Sequence, residues 1–161
     1  MNSQESLKLA GKLNIVVTGE DGTVKDNRTV DNLVVQAGLR WITESMAKTT
    51  NSPAAMTHMG IGDSQQAAAD GDTDLIGTNK FRKAFTTATV ANSSPATGRG
   101  NIVYVCQFGT ADNITGGAIT EAGIFNAASA GTMLCRTVFP VVNKGANDTM
   151  TITWTITLDA V

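Results

Sequence analysis

Hydrophobic and polar residues alternate most regularly near the end of the chain. Met150, Ile152, Trp154, Ile156 and Leu158 are interleaved with Thr149, Thr151, Thr153, Thr155 and Thr157. A period of two over that length predicts a strand with one buried face, its threonine face solvated or set against another polar row. The segment before it, Thr132 to Val142, is apolar and β-branched. Asn143-Lys144-Gly145 and Asn147-Asp148 separate the two, which reads as a hairpin. Pro140 has no N–H to donate, so its part of the strand belongs on an edge or at a bulge.

Further strands follow by the same reasoning. Leu7 to Thr18 and Thr23 to Val30 flank Gly19-Glu20-Asp21-Gly22, a second hairpin signal. Lys80 to Val90 reads as one weakly alternating strand, with Phe81 and Phe85 on one side. Ile102 to Phe108 reads as a strand buried on most of both faces. A loop from Ser93-Ser94-Pro95 to Gly98-Arg99-Gly100 joins these two. Ala118 to Phe125 and Met56 to Ile61 are shorter candidates. One helix is expected over about residues 35–48, because Leu39, Ile42 and Met46 share a helical face while Trp41 lies off it. Residues 62–79 form a long loop rich in Asp, Gly, Ala and Gln. The expected fold is mainly β: an antiparallel β-sandwich, jelly-roll-like, with one short helix. A polar arm (residues 1–6) would precede a single domain (residues 7–161).

Composition narrows the function classes. The chain has 161 residues, a net charge of -2 and 16% charged residues. It contains 23 threonines, and threonine suits a pleated surface. Low charge is consistent with a surface covered by a partner, since interface cores are depleted in charge, and equally with Thr, Ser, Asn and Gly supplying the polarity on their own. The arginines and lysines are scattered and not interleaved with aromatics, which gives no reason to expect nucleic-acid binding. No apolar run is long enough to span a membrane as a helix, and Met1 to Ser6 lacks the apolar stretch of a secretory signal. Two cysteines, Cys106 and Cys135, make no disulfide framework. They read as small core residues, with cross-strand contact left open.

The chemistry expected of an enzyme is thin. His58 is the only histidine and sits between apolar neighbours. Asp70, Asp72 and Asp74 resemble the opening of a calcium loop. However, Leu75 stands where the turn needs Gly, and Phe81 where a bidentate Glu is needed. Whether those aspartates bind an ion stays open; a solvated acidic turn is the simpler reading. Gly60-Ile61-Gly62-Asp63 is a poor phosphate loop without the third glycine. Glu121 stands inside an apolar strand, so it needs a charge partner or backbone donors, and Arg82, Arg99 and Arg136 are candidates. No catalytic, cofactor-binding or metal-ligating residue is assigned, and no cofactor is expected.

Five stretches carry a resemblance. They are Asn32-Leu33-Val34-Val35-Gln36-Ala37-Gly38-Leu39; Met59-Gly60-Ile61-Gly62-Asp63 with Asp74-Leu75 and Arg82; Ile119-Thr120-Glu121-Ala122-Gly123-Ile124-Phe125; Gly131-Thr132-Met133-Leu134-Cys135-Arg136-Thr137-Val138-Phe139; and the closing Trp154-Thr155-Ile156-Thr157-Leu158. Together they resemble small virion structural proteins of tailed bacteriophages, of the head decoration or cement type. The third and fourth are also similar to a module of tail-fibre and collar proteins. The resemblance implies a non-enzymatic protein made in the host bacterial cytoplasm. It would sit on the capsid surface of the virion, bind the major capsid protein and self-associate as a trimer. Length favours the head over a tail-fibre, collar or baseplate role, because a fibre chain usually continues into a shaft. An arm from Met1 to Leu9 would lie along a neighbouring subunit. A carbohydrate-binding β-sandwich contacting host glycan is the remaining alternative; such sites present aromatics to a sugar face, and with Trp154 among core residues only Trp41 and Tyr104 remain for that role.

Overall fold

The computed structural model describes residues 6–47, 52–94 and 99–160. Ten strands and one helix follow in the order β1 (Leu7–Thr18), β2 (Val24–Asp31), β3 (Leu33–Val34), α1 (Gln36–Met46), β4 (His58–Gly62), β5 (Lys80–Ala84), β6 (Thr87–Ser94), β7 (Arg99–Phe108), β8 (Ala118–Phe125), β9 (Met133–Asn143) and β10 (Thr149–Ala160). They form two five-stranded sheets with every neighbouring pair antiparallel. The first sheet runs β2-β1-β10-β7-β6 and the second β3-β9-β8-β4-β5. The fold is an antiparallel β-sandwich with one short helix.

Alternation decides which residues face inward. Leu13, Ile15 and Val17 of β1, Ile152, Trp154 and Ile156 of β10, and Tyr104, Cys106 and Phe108 of β7 meet Met59, Ile61, Ala122, Ile124, Cys135 and Val142 of the second sheet in one core. Each fully buried Leu or Ile contributes roughly 1.5–3 kcal/mol relative to exposure, so this layer drives folding. Trp154 satisfies its indole N–H by donating to Asn32 Oδ1 at 2.9 Å. The amide of Asn32 occupies the space that a side chain at Gly11 would need.

The hairpin of β1 and β2 is present, closed by Gly22 at φ 82° and a Gly19 N–H bond to the Thr23 carbonyl at 2.8 Å. Pro140 lies beyond the short reach of β3, where the β8–β9 register also shifts, so the missing donor costs no ladder bond. Strand β8 spans the residues its sequence predicts. Strand β7 is buried on one face, at Tyr104, Cys106 and Phe108, while Gln107 on the other is exposed.

Four expectations need correction. Strands β9 and β10 do not form a hairpin: β9 pairs with β8 and β3, and β10 with β1 and β7. The Asn143–Asp148 region is therefore a crossing between sheets. The predicted strand from Lys80 to Val90 is two strands. The chain leaves the second sheet after Ala84 and enters the first at Thr87, with Phe85 N–H bonded to Thr57 O and Thr86 N–H to Val105 O. The helix is shorter than residues 35–48 and turns a different face inward. Gly38 is buried against the backbone of Leu134, and Trp41 and Ile42 pack on the core. Leu39 and Met46 are 49% and 79% exposed. Leu7 to Leu9, expected within an arm, belong to β1 and pair with Leu158 to Ala160. Residues 1–5 of that arm and the tip 95–98 of the β6–β7 loop lie outside the described residues.

Candidate functional site

Three of the stretches that carry the resemblance, those with Gly60–Asp63 and Arg82, Glu121 and Arg136, meet on the outer face of the second sheet, whereas Trp154–Leu158 lies in β10 of the first. On the second sheet the 62–79 loop folds down over β4, β8 and β9. The contact is made possible by glycines set in register with charged residues. Gly62 is opposite Glu121, Gly123 opposite Arg136, and Gly60 opposite Arg82. A Cβ at Gly62 would press on the Glu121 carboxylate, and one at Gly123 would lie 3.2 Å from the Leu75 side chain.

Glu121 and Arg136 are both fully buried, with Arg136 Nε donating to Glu121 Oε2 at 2.9 Å. Burying two charges costs several kcal/mol per ion unless the remaining polar atoms are satisfied. Here they are satisfied by the loop itself. The carboxylate accepts the backbone N–H groups of Gly77 at 2.7 Å, Ile76 at 3.2 Å and Ser64 at 3.4 Å. The guanidinium donates to the Gln66 carbonyl at 3.0 Å and to Asp72 Oδ2 at 2.8 Å. A second clamp lies alongside. Arg82 donates to Asp74 at 2.7 Å and to the carbonyls of Ala127 and Ala130, and its guanidinium stacks 3.5 Å over the Phe125 ring. Lys80 donates to the other Asp74 oxygen at 2.8 Å. Partial burial pushes the Asp74 carboxyl up, but the hydrogen bonds from Lys80 and Arg82 outweigh it and hold it below the usual range. Beneath the loop Leu75, Phe125, Met133 and Val35 form a second small apolar cluster.

This arrangement answers most of the sequence candidates. Glu121 takes Arg136 as partner. Arg82 serves Asp74 instead, and Arg99 lies on β7 in the opposite sheet. Asp70, Asp72 and Asp74 do not converge on a common point. Asp70 accepts from Gln36 Nε2 at 3.0 Å, Asp72 from Arg136 and the Ala69 N–H, and Asp74 from Lys80 and Arg82. Among the described residues no group of three or more His, Cys, Asp or Glu side chains is placed to hold a metal ion. Gly60 and Gly62 serve close packing in a strand, with no helix start behind them. His58 is half-buried, with Nδ1 at 2.8 Å from its neighbour Thr57 Oγ1. Cys106 and Cys135 are free and buried in opposite sheets, so they are not cross-strand neighbours. Burial pushes the Cys106 thiol up to about 12 and raises Cys135 well above the usual range, which keeps both protonated and poorly nucleophilic.

Some residues that matter here gave no sequence signal. Lys144, in the β9–β10 crossing, is 1% exposed, and its Nζ has no hydrogen-bond partner among the described residues. Burial pushes its ammonium below the usual lysine range, with Asp112 and Asp148 pulling it back up. Its position between Asn143 and Gly145 suggested only a turn.

Three surfaces are left open. The outer face of the first sheet carries Thr151, Thr153, Thr155 and Thr157 in its middle. They are paired in register with Val16, Asn14, Lys12 and Ala10 on one side and Gln107, Val105, Val103 and Asn101 on the other. A shallow groove across it is lined by threonine, Asn14, Lys12 and Asp31, with no aromatic ring among its lining residues. A smaller apolar cavity of about 250 Å³ lies between α1 and the same sheet, lined by Trp41, Ile42, Tyr104 and Leu158. The third surface is the free edge of β6. Comparison with protein-family models, with curated proteins and with solved structures finds no match to this chain in any of the three.

Proposed function

We propose that this chain is a non-enzymatic structural protein of a tailed-bacteriophage virion, a capsid decoration protein that binds the major capsid protein and stabilises capsomer junctions. One observation carries the reading. Three of the five stretches that resemble such proteins supply the residues that lock the 62–79 loop onto the second sheet, Glu121, Arg136, Arg82 and Asp74. The resemblance therefore lies in the scaffold of a rigid domain and not in reactive groups. A rigid domain with a broad neutral Thr/Val/Asn face suits repeated attachment, because many weak contacts on a lattice add through avidity. The proposed location is the outer surface of the head.

Immunogold labelling of intact particles with antibody against this chain tests it. Label spread over the icosahedral shell is the expected result. Label confined to the tail or its tip would replace the head reading with a tail-fibre, collar or baseplate role. Particles that carry no label would overturn the virion reading altogether.

A further inference from the structure

Among the described residues the sandwich has four edge strands, and three of them are guarded. Natural proteins protect edges with charge, with shortness or with cover, because an open edge offers unpaired N–H and C=O groups to any passing strand. Strand β2 carries Lys25, Asp26, Arg28 and Asp31 within eight residues. Strand β5 carries Lys80, Arg82 and Lys83 within five. Strand β3 is only two residues long. Strand β6, Thr-Ala-Thr-Val-Ala-Asn-Ser-Ser, has eight residues with no charge and no proline. Residues Thr87 to Val90 are exposed, and Val90 is 68% exposed. The regular part of this edge is short, because the pairing with β7 shifts register between Ala91 and Ser93.

We propose that β6 is a self-association edge: two copies of this chain pair Thr87–Ala91 antiparallel about a twofold axis through Thr89. The occupant follows from charge and symmetry. An isologous pairing places every residue of the edge against the same segment of its partner. A charged edge would then set like charges together, whereas this one carries none. With Thr89 opposite itself, Thr87 faces Ala91 and Ala88 faces Val90. The exposed Val90 then gains an apolar neighbour on the face it shares with Ile102, its partner in β7. The two first sheets would join into one continuous sheet of ten strands. The contact is short for a protein interface, so the dimer is weak and concentration-dependent. This inference rests on the edge itself and not on the virion reading. It gives a dimer in place of the trimer implied by the resemblance.

The test is the mass of the full chain in solution, by sedimentation equilibrium up to about 100 µM, a range suited to a small interface. The expected result is a rise from 16.7 kDa towards twice that mass. Thr89→Lys, which sets two ammonium groups side by side at the axis, should return the chain to its monomer mass while its circular dichroism stays unchanged. Thr89→Cys should form an intermolecular disulfide under mild oxidation, since directly opposite Cβ atoms lie about 4.5–5.5 Å apart. Thr87→Cys should not, because this register leaves the two copies of residue 87 roughly 13 Å apart. The native cysteines are 0% exposed and do not compete. A monomer throughout the range, a trimer, a dimer that survives Thr89→Lys, or cross-linking at Thr87 but not at Thr89 would each overturn the proposal.

Discussion

Replacing Arg136 by Met removes the centre of the loop clamp while keeping most of the side-chain length. Arg136 is fully buried and donates to Glu121, Asp72 and the Gln66 carbonyl. The substitution leaves Glu121, itself fully buried, without its cation and the Asp72 carboxylate without its strongest donor. Breaking a buried pair by removing one partner costs about 3–5 kcal/mol, mostly as the penalty of the charge left behind. A chain of this size loses about 2–4 °C in Tm per kcal/mol, so Arg136→Met should melt roughly 6–20 °C lower. Urea denaturation followed by the fluorescence of the buried Trp154 gives the free energy directly. The same reasoning fixes the double variant. Glu121→Gln removes the stranded charge and keeps one oxygen for the N–H groups of Gly77 and Ser64, which share Oε1, at the loss of the acceptor of Ile76, which bonds Oε2. Arg136→Met with Glu121→Gln should therefore be at least about 1 kcal/mol more stable than the sum of the single losses. A loss below about 1 kcal/mol for Arg136→Met, or strict additivity in the cycle, would refute the clamp.

Other expectations follow from the same geometry. Gly77→Ala puts a Cβ 2.7 Å from the Glu121 carboxylate and into Asp63, so it should cost about 1–3 kcal/mol in urea denaturation. The carboxyls of Asp112, Asp148 and Asp63 are held below the usual range, chiefly by hydrogen bonds from Lys83, Lys25 and Asn79, and Asp74 is lowered as described. A depressed folded value means stability that is present above the unfolded value. Urea midpoints should thus hold steady to about pH 4.5 and fall as pH drops through about 4, with Asp112→Asn shrinking the fall. Cys106 and Cys135 should resist a thiol reagent at pH 8 in the folded protein and both react in urea, as read by absorbance of the released chromophore. Met46→Gln on the exposed face of α1 should change stability by less than about 0.5 kcal/mol.

Strand content was legible where one face is buried and the other wet. Strand β10 and the β1–β2 pair follow from alternation and turn residues alone. What alternation does not carry is the sheet to which each strand belongs. The Asn143–Asp148 segment has the turn residues of a hairpin, yet it crosses between sheets, because the long strand β1 takes the place beside β10. The break at Phe85-Thr86 has no Gly or Pro to mark it. It is set by Thr57 and Val105, which are distant in sequence and capture those two N–H groups. The helix face was read correctly only at Ile42: Leu39 and Met46 point outward, and the inward face is made by Trp41, Ile42 and Gly38, whose missing side chain lets the helix meet the Leu134 backbone and leaves no apolar signal. Glu121 was legible as a buried acid. Its choice among three arginines was not, since only the β8–β9 register brings Arg136 alongside. The Asp70–Asp74 run looked like ligands because spacing in sequence says nothing about where three carboxylates point once each has found its own donor.

Strand β1 lies between β2 and β10 and pairs with β10 along its whole length, from Leu7 opposite Ala160 to Thr18 opposite Thr149. During synthesis β1 and β2 emerge first and can close their hairpin at once. The apolar row of Leu13, Ile15 and Val17 must then wait for β10, which is made after the other nine described strands. The middle of the first sheet is therefore completed only when two strands more than 130 residues apart in sequence, β1 and β10, are joined. Such non-local pairing folds slowly, on a scale of milliseconds to seconds. For that interval the half-built sheet exposes its centre, the period in which the nascent chain is most prone to pair with the wrong strand.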